Sequence, residues 1–475
     1  MTRSGEPRAA SPISRSGVAS AHIPSSGSGP TTRRHRPGPA VRRWTGAAPG
    51  RPAQRMADPG PRPRLRVGMA VYGDLTFDSR VRREAATLAR AGYEVRLVCL
   101  ADEGDRRDLP DGVTVLVRRP TRSSVLPRSP NPFRVPGARR ARAVLDRVGW
   151  LIGYVTNLRS WGRMVVIAAG AVDAWHVHDL PALVAVLPRI AGRMPVVYDS
   201  HEIFLETGTA LRLPRPGRAM LRWYERRIVA RTFAVVTVNQ AVAEVLGKRY
   251  APTRLAVVHN CPDRWSRPVP RPDLIRQRLN LPRGTPVVLY HGALGPHRGV
   301  EQLIAALDEP GLDDAHLVLM GSGPSRESYV AEAARPSRRG RIHVLDPVPP
   351  AALLPWVASA DVGAMPIEAS TLNHYLSTPN KLFECLAAGT PVVVSDFPSM
   401  RAIVVDDPEG PLGSTCDPAR VDQVAVAVRS VLDLDAAAWQ ALSSRCVRAA
   451  GARWNWERES ATLLGLYDDL ATARR

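Results

Sequence analysis

Strand and helix signals alternate along this chain, and they do so in two separate runs. The first opens with "RLRVGMAVYG", a short apolar segment ending in glycine. It passes into "DSRVRREAATLARAG", where Val81, Ala85, Leu88 and Ala89 recur at helical spacing. Asp78 is placed to cap that helix and Gly92 to end it. "YEVRLVCL" follows as a strand, and "AWHVH", "MPVVYD", "FAVVTVN" and "LAVVHN" repeat the pattern. After the proline-heavy stretch 261–286 the alternation restarts with "VVLYHGALG" and continues through "AHLVLMGSG", "IHVL", "VGAMP" and "PVVVSD". Short apolar strands separated by helices build parallel sheets covered on both faces. The expectation is therefore an α/β chain of two doubly wound domains. Its 475 residues suit two cores, since a single core seldom grows past about 250 to 300 residues.

The net charge of +21 invites a nucleic-acid reading, but it is unevenly spread: residues 1–64 carry twelve arginines against Glu6 and Asp58. That stretch is rich in Arg, Ser, Pro and Gly, lacks hydrophobic periodicity and reads as a disordered basic tail. Its poverty in acids also fits an organellar transit segment, and Met56 offers an alternative start. With the charge in a tail and no recognition motif, nucleic acid is not an expected partner. Cys99, Cys261, Cys385, Cys416 and Cys446 are odd in number and form no CxxC pair, as expected of reduced thiols in a cytoplasmic protein. The most apolar stretch, "WLIGYVTNLRSWGRMVVIAAG" (150–170), is broken by Arg159 and Arg163, so it reads as an interior or interfacial helix rather than a membrane span.

Ligands of doubly wound sheets bind beyond the carboxyl ends of the strands. Polar or glycine residues follow strands at His178 and Asp179, His201 and Glu202, Gly292, Gly321, Glu368 and Asp396. The densest motif is "PNKLFECLAAGTPVVVSD" (379–396), which keeps one of only two lysines, Lys248 and Lys381, among 65 basic residues. Leu382, Cys385 and Leu386 form an apolar side, while Lys381 and Glu384 share another face. With Pro379 starting the helix, Asn380 and Lys381 lie in a first turn whose free amides attract anions. Glu384, one turn on, can accept two hydrogen bonds, as a ribose diol offers. Arg298 stands at another helix mouth after Gly292 and suits a bidentate grip on a pyrophosphate. Gly321 belongs to a glycine turn after a strand. A lysine and glutamate pair on an ordinary solvated face would look the same in isolation and be worth about 0.3 kcal/mol. The neighbouring motifs favour a nucleotide diphosphate site.

From about residue 65 to 470 the chain resembles the family 4 retaining glycosyltransferases of the GT-B fold, in the branch with a "PNKLFE" motif. The resemblance rests on "DSRVRREAATLARAGYEV", "HVHDLPAL", "VVYDSHEIF", "VVTVNQAVAEVL", "VVHNCPD", "YHGALGPHRGVEQLI", "LVLMGSGP" and the motif at 379–396. It implies two Rossmann-like domains facing across a cleft: an acceptor domain over 65–275 and a nucleotide-sugar donor domain over 276–453. A C-terminal helix within 454–475, "WNWERESATLLGLYDDL", is then expected to cross back onto the first domain. By the same resemblance Glu384 binds the donor ribose, Lys381 and Arg298 lie near the diphosphate, and His201 faces the donor sugar. Two positions depart from the family. Leu376 stands where many members have a glutamate, eight residues before Glu384, which makes Glu368 a candidate substitute. Ala293 stands where an arginine often follows the strand-ending glycine, leaving Arg298 and Lys381 to carry the phosphate charge.

The function that this resemblance implies is that of an enzyme moving a sugar from a UDP- or GDP-sugar to an acceptor hydroxyl with retention, in polysaccharide, glycolipid or other glycoconjugate synthesis. A departing phosphate oxygen can take the acceptor proton, so no metal or further cofactor is expected. His176, His178 and Asp179 invite a metal reading because HxH on a strand sets two imidazoles on one face. Asp179 before Leu180 and Pro181 reads better as a helix cap. The acceptor is expected to be a carbohydrate or a lipid-linked molecule. Residues 117–142, with eight arginines and no acid, suit an anionic surface on the inner face of the cell membrane, or a solvated loop. Two other functions fit the same motifs. A sugar-nucleotide epimerase would turn over its substrate without an acceptor, and a non-catalytic partner would bind a nucleotide sugar without transfer.

Overall fold

The computed structural model describes residues 42–43, 65–76, 78–102, 109–119, 138–190, 192, 194–211, 213–338 and 340–473. Within residues 41–475, which form one compact unit, two parallel sheets are built in two lobes. The first contains β1 (Arg42–Arg43), β2 (Arg66–Val71), β3 (Glu94–Cys99), β4 (Val113–Val117), β5 (Ala174–His178), β6 (Val196–Ser200), β7 (Ala234–Thr237) and β8 (Arg254–Val257), in the order β1-β8-β7-β6-β5-β2-β3-β4. The second contains β9 (Val287–His291), β10 (His316–Met320), β11 (Ile342–Leu345), β12 (Val362–Met365), β13 (Val392–Ser395) and β14 (Gly413–Cys416), ordered β11-β10-β9-β12-β13-β14. Helices of the first lobe are α1 (Ser79–Arg90), α2 (Ala138–Ala169), α3 (Asp179–Ile190), α4 (Gly208–Leu211), α5 (Arg215–Val229) and α6 (Gln240–Tyr250). After them come α7 (Leu274–Leu279), α8 (Val300–Ala306), α9 (Arg326–Ala333), α10 (Pro350–Ala358), α11 (Leu372–Tyr375), α12 (Asn380–Ala388), α13 (Pro398–Val404), α14 (Val421–Leu432), α15 (Ala436–Ala452) and α16 (Trp456–Ala473).

The reading of residues 1–64 as wholly unstructured needs correcting at one point. Arg42 and Arg43 pair in parallel with Arg254 and Leu255, closing the otherwise free edge of β8. The rest of that tail, Met56 included, lies outside the described residues, as do residues 120–137 of the arginine-rich segment. All five cysteines are free and buried.

Each sheet buries both faces, which is why its strands read as continuous apolar runs. Along β2, Val67, Met69 and Val71 point to one core while Ala70 points to the other. The second of these cores gathers Trp161 of α2, Trp175 of β5 and Leu183 of α3. The other is closed by the last helix: Leu463, Leu466, Tyr467 and Leu470 of α16 repeat at helical spacing and pack among Val67, Met69, Val81 and Leu88. Trp456 Nε1 donates to Thr87 Oγ1 at 2.8 Å, tying the start of α16 to α1. The C-terminal helix therefore belongs to the first lobe's core although it follows the second lobe in sequence.

In both sheets the chain winds outward one way, returns beside its starting strand and winds outward the other. The reversal lies between β2 and β5 in the first and between β9 and β12 in the second. Polar loops gather in such crevices, and His291 and Gly292 lie at the end of β9 and just beyond it. The lobes also touch directly. Asn239 Nδ2 donates to the Leu376 carbonyl at 2.8 Å, and the Ile203 amide donates to Asn373 Oδ1 at 3.1 Å.

Candidate functional site

Helix α12 begins directly after Pro379, whose extended backbone turns the chain into the first turn, and ends at Gly389 in the left-handed region (φ 71°). Its apolar side, Leu382, Phe383, Cys385 and Leu386, is buried in the second lobe. That anchoring presents Asn380, Lys381 and Glu384 to a cavity of about 720 Å³. The cavity also takes in Tyr290, His291, Gly292 and Arg298 from the second lobe and Ser79 and Arg83 from α1 of the first. It is an interlobe cleft.

Two backbones approach closely at its floor. A Cβ on Gly321 would stand 1.9 Å from the Gly292 carbonyl oxygen, so only glycine fits where the turns after β9 and β10 meet. Gly292 itself sits at φ 105°, and a Cβ there would lie 3.5 Å from Lys381 Cε.

Lys381 Nζ rests 3.5 Å from the centroid of the Tyr290 ring, a cation–π contact. Burial, and after it the neighbouring Arg298, push the ammonium down to about 7. Neither Lys381 nor Arg298 forms an ion pair with a carboxylate among the described residues. The acid nearest in sequence is already engaged, because Glu384 Oε2 lies 2.8 Å from His291 Nε2. Burial alone would raise Glu384, but the hydrogen bond and charge of His291 outweigh it and hold the carboxyl below its ordinary value. The result is a cleft in which the Arg298 guanidinium and the Lys381 amine, neither ion-paired among the described residues, stand beside the amino end of α12, an arrangement that attracts an anion and favours the ammonium form of Lys381 when one is bound.

Six of the eight residues singled out in the sequence, Lys381, Glu384, Asn380, Arg298, Gly292 and Gly321, line this one cavity. His201 and Glu368 do not. The Glu368 carboxylate meets His297 Nδ1 and Gln302 Nε2, each at 2.8 Å, and so braces the loop that carries Arg298. Leu376 is buried in the core of the first lobe, an anchor between lobes rather than a ligand contact.

His201 sits between two carboxylates, its Nε2 3.2 Å from Asp199 Oδ2 and its Nδ1 3.4 Å from Asp179 Oδ2. Burial opposes the charge, yet Asp179 and Asp199 together raise its pKa to about 10, so it is an imidazolium at neutral pH. Asp179 opens α3 at φ 60°, and its side chain accepts from the His201 amide at 3.0 Å, so it holds His201 rather than serving as an ordinary cap. Behind it, Glu84, His176, His178 and Asp199 bring ligand atoms within 4.8 Å of one another. A dication there would compete with a cation already present. The Arg80 guanidinium lies 2.7 Å from Asp199 and 3.1 Å from Glu84, and burial raises the Glu84 carboxyl toward its neutral form. Charge is thus balanced by the protein's own groups.

Sequence reasoning passes over Tyr290, His291 and Arg83. The first two directly precede Gly292, and a strand that ends in an aromatic and a histidine beside a glycine turn is the available signal. Arg83 lies within a quoted motif, but only the packed lobes show that α1 turns it toward the other domain.

Family comparison agrees with this architecture. A "Glycosyl transferase 4-like domain" matches residues 78–261 and "Glycosyl transferases group 1" matches residues 285–433, together more than two thirds of the chain. A D-inositol 3-phosphate glycosyltransferase of Xylanimonas cellulosilytica is 29% identical over 298 residues, 59% of this chain and 68% of the relative. Among solved structures, sucrose-phosphate synthase from Thermosynechococcus elongatus superposes with a TM-score of 0.62 at 17% identity, covering 86% of this chain and all of that one. Anabaena HepE in complex with UDP and glucose gives 0.60 at 15% identity, over 85% of this chain and 100% of that one. A 4-like domain followed by a group 1 domain, on two lobes of GT-B form, makes this chain a member of the GT-B glycosyltransferases.

Proposed function

We propose that the chain transfers a sugar, with retention, from a nucleoside-diphosphate sugar to an acceptor hydroxyl. One observation carries the reading: Lys381 and Arg298, without carboxylate partners among the described residues, share a cleft with the amino end of α12 and with Glu384. In this scheme the cations and helix amides hold the diphosphate, and Glu384, kept ionised by His291, accepts from the ribose diol.

Breaking a glycosidic bond to a diphosphate leaves negative charge on phosphate oxygens, and preorganised cations stabilise it without rearrangement. Removing one such group costs about 3 kcal/mol, on the order of a hundredfold in rate. The departing phosphate oxygen takes the acceptor proton, so the protein's work is to position and to compensate charge. His201, an imidazolium whose two ring nitrogens face Asp199 and Asp179, suits an electrostatic role better than that of a base. HepE binds UDP in a fold of the same form, which favours a UDP-sugar as the first donor to try.

A thermal-shift screen against UDP- and GDP-sugars tests the proposal, followed by an acceptor search with the best donor and NMR assignment of the product's anomeric configuration. A stabilised protein and a transferred sugar of unchanged configuration are expected. No shift with any nucleotide sugar would remove the reading, and turnover without an acceptor would replace it with epimerisation.

A further inference from the structure

A second cavity, of about 810 Å³, lies wholly within the first lobe between α2, α3 and α5. Its walls are apolar, supplied by Tyr154 and Leu158 of α2, Val184 of α3, Phe204, and Met220 and Trp223 of α5. This is not a sealed void. Met220 is 67% and Trp223 58% exposed, and Ile152 and Val155 on α2 are also exposed, so large apolar side chains lie open to solvent around it. A patch of this kind on a protein surface marks an interaction site.

The rim is cationic. Arg159, Arg163 and Arg189 line the groove, and none has a carboxylate partner among the described residues. Arg189 spends its hydrogen bonds on carbonyl groups, including that of Arg159 at 2.5 Å. Its guanidinium is pushed down by burial and by the charges of Arg163 and Arg159. On α5, Arg227 lies 4.8 Å over the Trp223 ring, with Arg222 and Arg226 exposed beside it. Glu225, the single acid of α5, is buried against the Tyr250 hydroxyl, feels the charges of Arg249 and Arg222, and forms no ion pair with Arg226 or Arg227 among the described residues.

An apolar groove ringed by unpaired arginines and exposed tryptophan matches one kind of partner by charge and by polarity: a lipid surface with anionic headgroups and hydrocarbon beneath them. No helix among the described residues is long and apolar enough to cross a membrane, so attachment of this kind would be peripheral. We propose that the α2–α5 groove of the first lobe docks on an anionic lipid bilayer, with Met220 and Trp223 entering the apolar layer and the arginines meeting the phosphates. The site differs from the arginine-rich segment 117–142, and it stands independently of the donor-site reading.

Flotation of the full chain with phosphatidylcholine vesicles, with and without phosphatidylglycerol, tests it. The protein is expected to float with the anionic vesicles and to stay down with phosphatidylcholine alone. Met220→Ser with Trp223→Ser should lower partitioning at least tenfold. Each of Arg159→Gln and Arg163→Gln should lower it about fivefold. Ile167→Ser, exposed on α2 but outside the groove, should change nothing. Thermal unfolding midpoints near that of the unaltered protein show that the variants are folded. Absence of flotation overturns the proposal, and so does flotation that all four groove substitutions leave unchanged, which would assign binding to another basic stretch, residues 1–64 or 117–142. A concentration-dependent dimer lost in the Met220→Ser, Trp223→Ser variant would also overturn it, by making the groove a contact between copies of this chain.

Discussion

Lys381 is the residue whose chemistry most distinguishes this cleft. A lysine pushed down to about 7 can exchange a proton in the neutral range, which an arginine cannot. Between about 7 and the ordinary 10.5 the unfolded chain holds the proton and the folded chain does not. This group therefore lowers stability as pH falls through that window and adds no further change below it. An anion in the cleft reverses the preference by favouring the ammonium. The diphosphate of a nucleotide sugar is doubly esterified and does not titrate near 7, so any pH dependence belongs to the protein. Affinity should fall up to tenfold per pH unit above 7, with net proton uptake seen by calorimetry in two buffers of different ionisation enthalpy. Lys381→Met should weaken binding by about 10- to 100-fold and abolish that uptake. A variant that keeps both the affinity and the uptake would remove Lys381 from the site. Gly321→Ala makes a separate steric prediction. Its methyl group would overlap the Gly292 carbonyl, so the cleft floor must open, costing about 1 to 3 kcal/mol in denaturant unfolding and most of the nucleotide affinity.

At the scale of elements, α16 shows how a helix late in the chain can complete an early core. Leu466 is fully buried among first-lobe residues, and Leu466→Ala should cost about 2 to 5 kcal/mol in denaturant unfolding. Tyr467 makes a finer connection, its hydroxyl 3.0 Å from His176 Nδ1, with the His176 ring stacked on His178 and His178 Nδ1 3.2 Å from His201. Tyr467→Phe should cost about 1 kcal/mol, the usual net worth of one hydrogen bond. Both α12 and α16 are legible in the sequence because their apolar positions recur at 3.6-residue spacing and a proline or glycine marks an end of α12. Weaker elements are not. The strand β14, "GSTC", is short and mostly half-buried, and neither alternation nor an apolar run announces it, whereas "VTVLV" of β4 is a β-branched run that does read as a strand. The pair Arg42–Arg43 becomes a strand only because the edge of β8 is available, a tertiary fact with no local signature. Five of the six candidate site residues are legible because each follows a strand or opens a helix, and Glu384 because it shares a helix face with Lys381. Arg83 is not, since its place depends on how the lobes face one another.

At the scale of the whole molecule, position 376 ties the two lobes together. Leu376 is 8% exposed and belongs to the apolar core of the first lobe, although the chain around it comes from the second. Its carbonyl accepts from Asn239 of the first lobe at 2.8 Å and from Ser399 Oγ of the second at 2.9 Å, so the apolar side chain and the Asn239 bond together hold the segment before α12 against the opposite lobe. The loop leading into the cleft is therefore positioned by both domains, and the placement of Lys381 depends on their joint packing. A glutamate at this position is then expected to harm this protein. Leu376→Glu puts a carboxylate where the surroundings are apolar, a burial that costs several kcal/mol unless the group is neutralised or paired. The thermal midpoint should drop, small-angle scattering should show a larger radius of gyration as the lobes part, and nucleotide-sugar affinity should fall with them. Lowering the pH toward 5 should restore part of the stability, because protonating a buried carboxyl removes the charge that opposes burial. A Leu376→Glu protein that is as compact as the original and faster in transfer would show that this side chain faces the sugar, and that the contact between lobes does not set the geometry of the cleft.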